Sequence, residues 1–525
     1  MAHVTTGSAE APALDPALIE RLTRRVAGSA TGRTVTTTAP FTGAPLAELP
    51  ASTSDDVGAA FARAREAQRA WAARSVRERA APFLRFHDLV LDRQSEILDI
   101  IQWETGKARR HAFEEVYDAA AGTLYYARNA ARLLRPTRSP GAMPVATRTY
   151  VRRRPKGTVS VITPWNYPLA LPVGDAVPAL IAGNAVVAKP DTQTSLTALW
   201  AIDLAIEAGL PEDLWNPVIG EPAEVGDPMV DEADHVAFTG SSAAGAGIAR
   251  RASERLIGCS AELGGKNPMV VCEDAAVDWT VEGAIRACFS NAGQLCISME
   301  RLYVHDRIHD EFVSRFTDAV RNMALNARFD FSADMGSLTY QRQLDRVSAH
   351  VDDARDNGAT VLTGGQPRPD LGPLFYEPTV MTDVGPTMAA CSDETFGPVV
   401  SVYRYSDEDE VIERCNDTEY GLNASVWTRD VSRGRRIAER IDAGTVNINE
   451  GYGAAWASYG APMGGTKRSG LGRRHGAEGL LRFTESQSIA SQHYVGLGGT
   501  PGMSGETLAR TLTLGGRLMK RFRIR

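Results

Sequence analysis

An α/β architecture built on a parallel sheet follows from three features of residues 158–272. Short apolar runs recur there: TVSVI (158–162), AVVAK (185–189), HVAF (235–238) and PMVV (268–271). Loops and amphipathic stretches such as SLTALWAIDLAIEAGL (195–210) separate them. That rhythm is the signature of βαβ units whose sheet is covered on both faces. Unusual residues cluster at the ends of the runs, where a parallel sheet binds its ligands.

The remaining elements fall in chain order. Residues 1–15 are small and polar without periodicity, and predict a loose N-terminus. From Ser54, a candidate cap, Val57, Phe61, Ala64 and Trp71 recur at helical spacing, and helical stretches continue to about Leu134. TRTYVRRRPKG (147–157) alternates and reads as a strand with a polar face. A second alternating region spans about 300–450, with RLYVHD (301–306) and GPVVSVY (397–403). RFTESQSIASQHYV (482–495) reads as extended, and a Gly-rich connector then leads to a basic tail from about Thr507 to Arg525. No repeat of fixed period is present.

At 525 residues the chain predicts three or four domains and a large core. A hydrophobic fraction of 43% with 23% charged residues is ordinary for a soluble protein. The net charge of −7 argues against a general nucleic-acid surface. The six cysteines (259, 272, 288, 296, 391, 415) are too sparse for a disulfide framework and lack the pair spacings of a zinc site, so no metal is expected. A reducing cytoplasm fits this usage. The first thirty residues hold no apolar run of signal-peptide length, and no stretch reaches membrane-spanning length.

The chemistry centres on Cys296, in ACFSNAGQLCIS (287–298), which follows Glu262, in SAELGGKNPMVV (260–271), by 34 positions. A lone cysteine is most often a small buried apolar residue. Paired with a separate carboxylate base, it suits chemistry that holds an acyl group on sulfur and then hydrolyses it. No histidine stands near Cys296 before His305 and His309, although a distant one can assemble in space. Asn166, in TPWNYP (163–168), offers an amide to an oxyanion, or is a turn asparagine before proline. Lys189, at a strand end, can bind ribose hydroxyls or phosphate, or be solvated. In FTGSSAAGAG (238–247), Gly240 and Gly245 would let a helix N-terminus approach a diphosphate. The fingerprint G-x-G-x-x-G is absent after the first strand.

Together and in order, the blocks TPWNYP, AVVAKP, FTGSSAAG, ELGGKNP, NAGQLC, ETFGPVV (394–400) and PMGGTKRSGLGR (462–473) resemble the aldehyde dehydrogenase superfamily, over roughly residues 35–492. The resemblance implies that Cys296 is the nucleophile, that Glu262 activates the deacylating water, and that Asn166 and the Cys296 backbone N–H form the oxyanion hole. It implies a cofactor site of Thr163, Pro164, Trp165, Lys189, Thr192, Gly240, Ser241, Gly245 and Leu263, with Glu394 on a ribose and Phe396 beside the nicotinamide ribose. It also implies a substrate tunnel of Tyr167, Leu171, Gly174, Ser290, Leu295, Ile297 and Met463. The expected fold has a Rossmann-like cofactor domain (1–137 and 156–262), an α/β catalytic domain (263–465) and a small oligomerisation sheet (138–155 and 482–495). A homodimer or homotetramer acting on a small aldehyde is the implied assembly. The chain is most similar to actinobacterial enzymes assigned as NADP-dependent succinate-semialdehyde dehydrogenases.

Several positions depart from that pattern. Thr192 replaces a glutamate that, in NAD-specific members, holds the adenosine ribose and would repel a 2′-phosphate, so NADP is favoured, with NAD possible as an alternative. Asp175 and Arg474 carry charges opposite to the lysine and glutamate common there, which keeps an attraction but removes a titratable relay. Gly174 and Ser290 stand where arginines bind a substrate carboxylate, and Ala457 where a serine does; Ser458 and Tyr459 are neighbouring substitutes. Such a tunnel suits several aliphatic or aromatic aldehydes. The tail (496–525) holds six Lys or Arg residues from Arg510 onward with no acid there. Its amphipathic pattern predicts docking on its own or a neighbouring subunit ahead of disorder and of membrane contact, with Gly515-Gly516 weakening the helix. A cysteine hydrolase and a non-catalytic relative are the competing readings; the second is disfavoured because Cys296, Glu262 and Asn166 are all retained.

Overall fold

A computed structural model describes residues 12–28, 32–143, 146–493 and 496–523. Residues 1–11 of the expected loose N-terminus lie outside this description. Asp15 instead begins ordered structure, capping the helix Pro16–Thr23 through the Ala17 amide.

Two large sheets frame the molecule. The first has six strands in the order Gly470–Leu471, Gly258–Glu262, His235–Thr239, Thr158–Ile162, Ala185–Lys189, Trp215–Pro217, parallel except for its antiparallel edge Gly470–Leu471. Its central strands are buried on both faces, and so read in sequence as unbroken apolar runs. Chain order runs outward from Thr158–Ile162 in both directions. The carboxyl ends of that strand and of His235–Thr239 therefore flank a topological switch point, the place where such sheets hold ligands.

The second sheet has seven strands in the order Thr360–Thr363, Thr379–Thr382, Val399–Tyr405, Met299–His305, Asn267–Val271, Asn423–Trp427, Thr445–Ile448. The run PMVV lies here, in Asn267–Val271, and not with the runs 158–238. A three-stranded antiparallel sheet, Thr484–Gln492, Thr147–Pro155 and Thr137–Ser139, stands apart.

Helices close the first sheet. Thr53, one residue before the expected Ser54, caps Ser54–Ala72, because Asp56 answers it with a reciprocal bond to the Thr53 amide. Trp71 on that helix donates its indole N–H to the Leu180 carbonyl at 2.7 Å, tying it to the buried helix Ala170–Ala182. Burial of side chains such as Phe61, Phe83 and Leu180, each 0% exposed, contributes roughly 1.5–3 kcal/mol apiece. The tail forms the helix Gly505–Phe522 despite Gly515-Gly516, and none of its residues is buried. Docking on its own chain is thus not observed: Leu514 and Phe522 are 59% and 64% exposed. No helix among the described residues is long and apolar enough to cross a membrane.

Candidate active site

A cleft of about 790 Å³ opens along the carboxyl ends of the first sheet. Thr163, Pro164, Trp165 and Asn166 line it from the first strand, with Lys189 from the next. Gly240, Ser241, Leu263, Cys296, Glu394 and Phe396 complete the wall. Sequence-distant motifs therefore meet in one place.

The segment before Cys296 is unusual backbone. The helix Val277–Phe289 ends, and Asn291, Ala292 and Gly293 follow at φ 51°, 54° and 69°. Left-handed non-glycine residues are costly and persist only when surroundings fix them. Here Asn291 donates its backbone N–H to His111 Nδ1 at 3.1 Å and its amide to the Asn166 and Gln294 carbonyls. Gly293 has no alternative, since a Cβ would lie 2.0 Å from the Gly397 carbonyl oxygen. The Cys296 carbonyl then accepts from Asn267 Nδ2 at 2.8 Å. Burial, reinforced by the Glu394 and Glu262 carboxylates, pushes the Cys296 thiol up to about 12.

Asn166 is 3% exposed, donates its side-chain amide to the Gln294 carbonyl at 3.1 Å, and leaves Oδ1 unpartnered. Glu262 ends the strand Gly258–Glu262 behind the cleft wall, with Oε1 also lacking a protein partner. Burial pushes its carboxyl up to about 7, against the pull of the Arg474 guanidinium. That value suits a group exchanging protons near neutrality.

The aldehyde dehydrogenase family matches this chain over residues 27–489. The chain belongs to that family. A Mycobacterium tuberculosis protein with the provisional name succinate-semialdehyde dehydrogenase (NADP+) 2 is 55% identical over 451 residues, 86% of this chain and 87% of its own. A Mycolicibacterium smegmatis relative with the same kind of name is 52% identical over 90% of this chain and 92% of its own. Among solved structures, an Escherichia coli NADP-dependent enzyme superposes with a TM-score of 0.86 at 33% identity, over 90% of this chain and 99% of that one. Staphylococcus aureus betaine aldehyde dehydrogenase in complex with NAD+ gives 0.86 at 30% identity, over 93% and 99%.

As in an aldehyde dehydrogenase, the cleft has the shape and donors for a dinucleotide. Gly226 and Gly247 face it from two helices, and a Cβ on either would meet nothing within 4 Å, leaving room for a flat ring. Lys189 is buried, with its ammonium bonded to the Pro190 carbonyl at 3.3 Å. Ser241 caps the helix Ser242–Glu254, whose N-terminus favours an anion. Glu394 accepts from the Gly265 amide at 2.9 Å, and Phe396 packs edge-on to Trp165 at 5.6 Å.

Two expected cofactor residues stand outside the lining. Gly245 packs beneath its helix, where a Cβ would come within 2.4 Å of Leu263, and Thr192 donates its hydroxyl to the Gly220 carbonyl at 3.2 Å. On the far side of Cys296, Tyr167, Leu171, Leu295, Ile297 and Met463 form one apolar cluster with Tyr452 and Trp456. Ser290 is one layer behind it: its hydroxyl donates to the Arg286 carbonyl and accepts from the Tyr452 hydroxyl at 2.8 Å. Gly174 faces open space. Ser458 and Tyr459 donate to the Ala454 carbonyl and to Asp118, and are not free carboxylate ligands.

The sequence reading missed Lys107, Glu115, Tyr452 and Trp456. Tyr452 and Trp456 lie in a Gly- and Ala-rich stretch with no periodic signal, and Lys107, in ETGK, has the sequence signature of a helix end.

Proposed function

We propose that this chain oxidises an aldehyde to its carboxylic acid with NADP as hydride acceptor, and that succinate semialdehyde is its substrate. The observation that carries the reading is that Cys296 and Asn166 line one cleft while Glu262 is buried behind its wall, near enough to Cys296 to help raise its thiol. The names of the mycobacterial relatives support both the substrate and NADP. Lys189, Ser241 and Glu394 would hold the cofactor, whose nicotinamide supplies the hydride acceptor when bound.

The Cys296 thiol gives its proton to solvent, and its sulfur bonds to the aldehyde carbon as the carbonyl π pair moves onto oxygen. The Asn166 amide, released from Gln294, and the Cys296 backbone N–H receive the oxyanion; losing one such donor costs about 3 kcal/mol of transition-state stabilisation. Departure of hydride leaves a thioester on Cys296. Glu262 takes a proton from water, hydroxide displaces the sulfur, and the acid leaves.

The domain boundaries and site roles given above belong to the same proposal, as does a homodimer or homotetramer formed through the three-stranded sheet. The edge strand Thr484–Gln492 is exposed along most of its length, which favours pairing with another copy. Six free cysteines favour a cytoplasmic setting.

A second reading, oxidation of aldehydes with aliphatic or aromatic tails, is favoured by the tunnel wall. Tyr167 and Trp456 meet edge-on at 6.0 Å, and the nearby Arg286 faces Glu114, Glu450 and the Tyr452 ring. An aldehyde panel assayed with both cofactors separates the two. The highest kcat/KM for succinate semialdehyde with NADP supports the first; a preference for uncharged aldehydes establishes the second. No reduced cofactor with any aldehyde would refute both.

A further inference from the structure

A charged pair is sealed beneath the loop that carries Asn166. Lys107 and Glu115 have side chains 0% exposed and meet at 2.6 Å. The same ammonium donates to the Asn166 backbone carbonyl at 2.6 Å and lies 4.1 Å above the Tyr167 ring. The second oxygen of Glu115 accepts from the Leu169 and Ala170 amides at 2.8 and 3.2 Å, where the helix Ala170–Ala182 begins. Asn291, from the Cys296 segment, donates to the same Asn166 carbonyl at 3.0 Å.

The loop 163–168 is therefore clamped at its base and at its exit by one ion pair. Taking two charges out of water is costly, and well-packed apolar side chains would serve stability as well. What an apolar pair cannot do is fix a carbonyl in direction. A peptide whose carbonyl is fixed also fixes the Asn166 Cα and the origin of its side chain.

We propose that Lys107 and Glu115 are positioning residues, which hold the Asn166 amide where the oxyanion develops. The proposal rests on the reading of Asn166 as the oxyanion donor.

The test compares Lys107→Met, the charge-free double variant Lys107→Met/Glu115→Gln, Asn166→Ala and Asn166→Ala/Lys107→Met. Four readouts are taken: aldehyde oxidation, hydrolysis of p-nitrophenyl acetate, alkylation of Cys296 by iodoacetamide, and NADP affinity by fluorescence. Acyl transfer needs an oxyanion hole, whereas alkylation does not. Lys107→Met is expected to lower kcat for oxidation by about 100-fold, the scale of a 1 Å misplacement. Ester hydrolysis falls in parallel, while alkylation rate and NADP affinity hold. In the Asn166→Ala background, Lys107→Met adds no further loss.

Equal losses in all four readouts, additive losses with Asn166→Ala, or an unchanged kcat would each overturn the proposal. If Lys107→Met does not fold, the charge-free double variant carries the test; if neither folds, the pair serves the fold and the proposal fails. An Asn166→Ala protein with normal kcat would instead remove the oxyanion reading itself.

Discussion

Arg474 grips Asp175 with two nitrogens on one edge of its guanidinium, Nε to Oδ1 at 3.0 Å and Nη2 to Oδ2 at 2.6 Å. Arg482 donates to the same carboxylate, and Arg474 donates further to Thr239, the residue in register with Glu262. Burial pushes Asp175 up, but the Arg474 and Arg482 guanidiniums outweigh it and hold the carboxyl below its ordinary value. The pair links the helix Ala170–Ala182 to the end of the strand His235–Thr239, beside Glu262 on the neighbouring strand.

Single reversals, Asp175→Lys or Arg474→Glu, should each destabilise the protein by ~3–5 kcal/mol, because each leaves a buried charge unpaired. The double reversal should be better tolerated, with a coupling of ~0.5–3 kcal/mol. Rescue stays incomplete because Arg482 still faces the introduced lysine. Denaturant unfolding of the four proteins measures this, and strict additivity would contradict it.

Glu262, raised to about 7, must be ionised to take a proton from water. Where deacylation limits turnover, kcat should therefore rise with pH through about 7 and then level. Glu262→Gln should abolish that limb and leave a burst of NADPH with little steady rate. Loss of the burst as well would place Glu262 in the thiol step.

Thr192→Glu should lower the NADP/NAD ratio of kcat/KM, since a carboxylate repels a 2′-phosphate and can bind free hydroxyls. Thr192 now donates to Gly220, so the change costs one surface-proximal hydrogen bond and leaves the sheet intact. An unchanged ratio would assign cofactor choice to another side chain.

With its thiol pushed up to about 12, Cys296 of the cofactor-free protein should react with iodoacetamide at a rate that climbs steadily from neutral into alkaline pH. A plateau near the ordinary thiol value of ~8.5 would show that burial does not control the nucleophile.

Much of this was legible from residue order. AVVAK coincides with Ala185–Lys189 because a strand buried on both faces must be apolar throughout. Sheet membership was not legible: PMVV resembles its upstream neighbours, yet Asn267–Val271 pairs with Met299–His305. The strand Gly258–Glu262 between them is GCSAE, too small and polar to announce itself. Both Thr53 and Ser54 suit a cap, and the Asp56 side chain decided between them. Lys107 gave no signal, because a lysine after a helix-ending glycine ordinarily points to water, and only tertiary packing closes Glu115 and Tyr167 around it.

Formation of NADPH, followed by its near-ultraviolet absorbance on mixing aldehyde and NADP with wild-type protein and with Cys296→Ala, tests the central claim most directly. The wild type should turn over steadily. The variant should bind NADP with unchanged affinity and form none, because among the described residues Cys296 is the cysteine that lines the cleft. Steady NADPH formation by Cys296→Ala at a rate near the wild type would contradict the account.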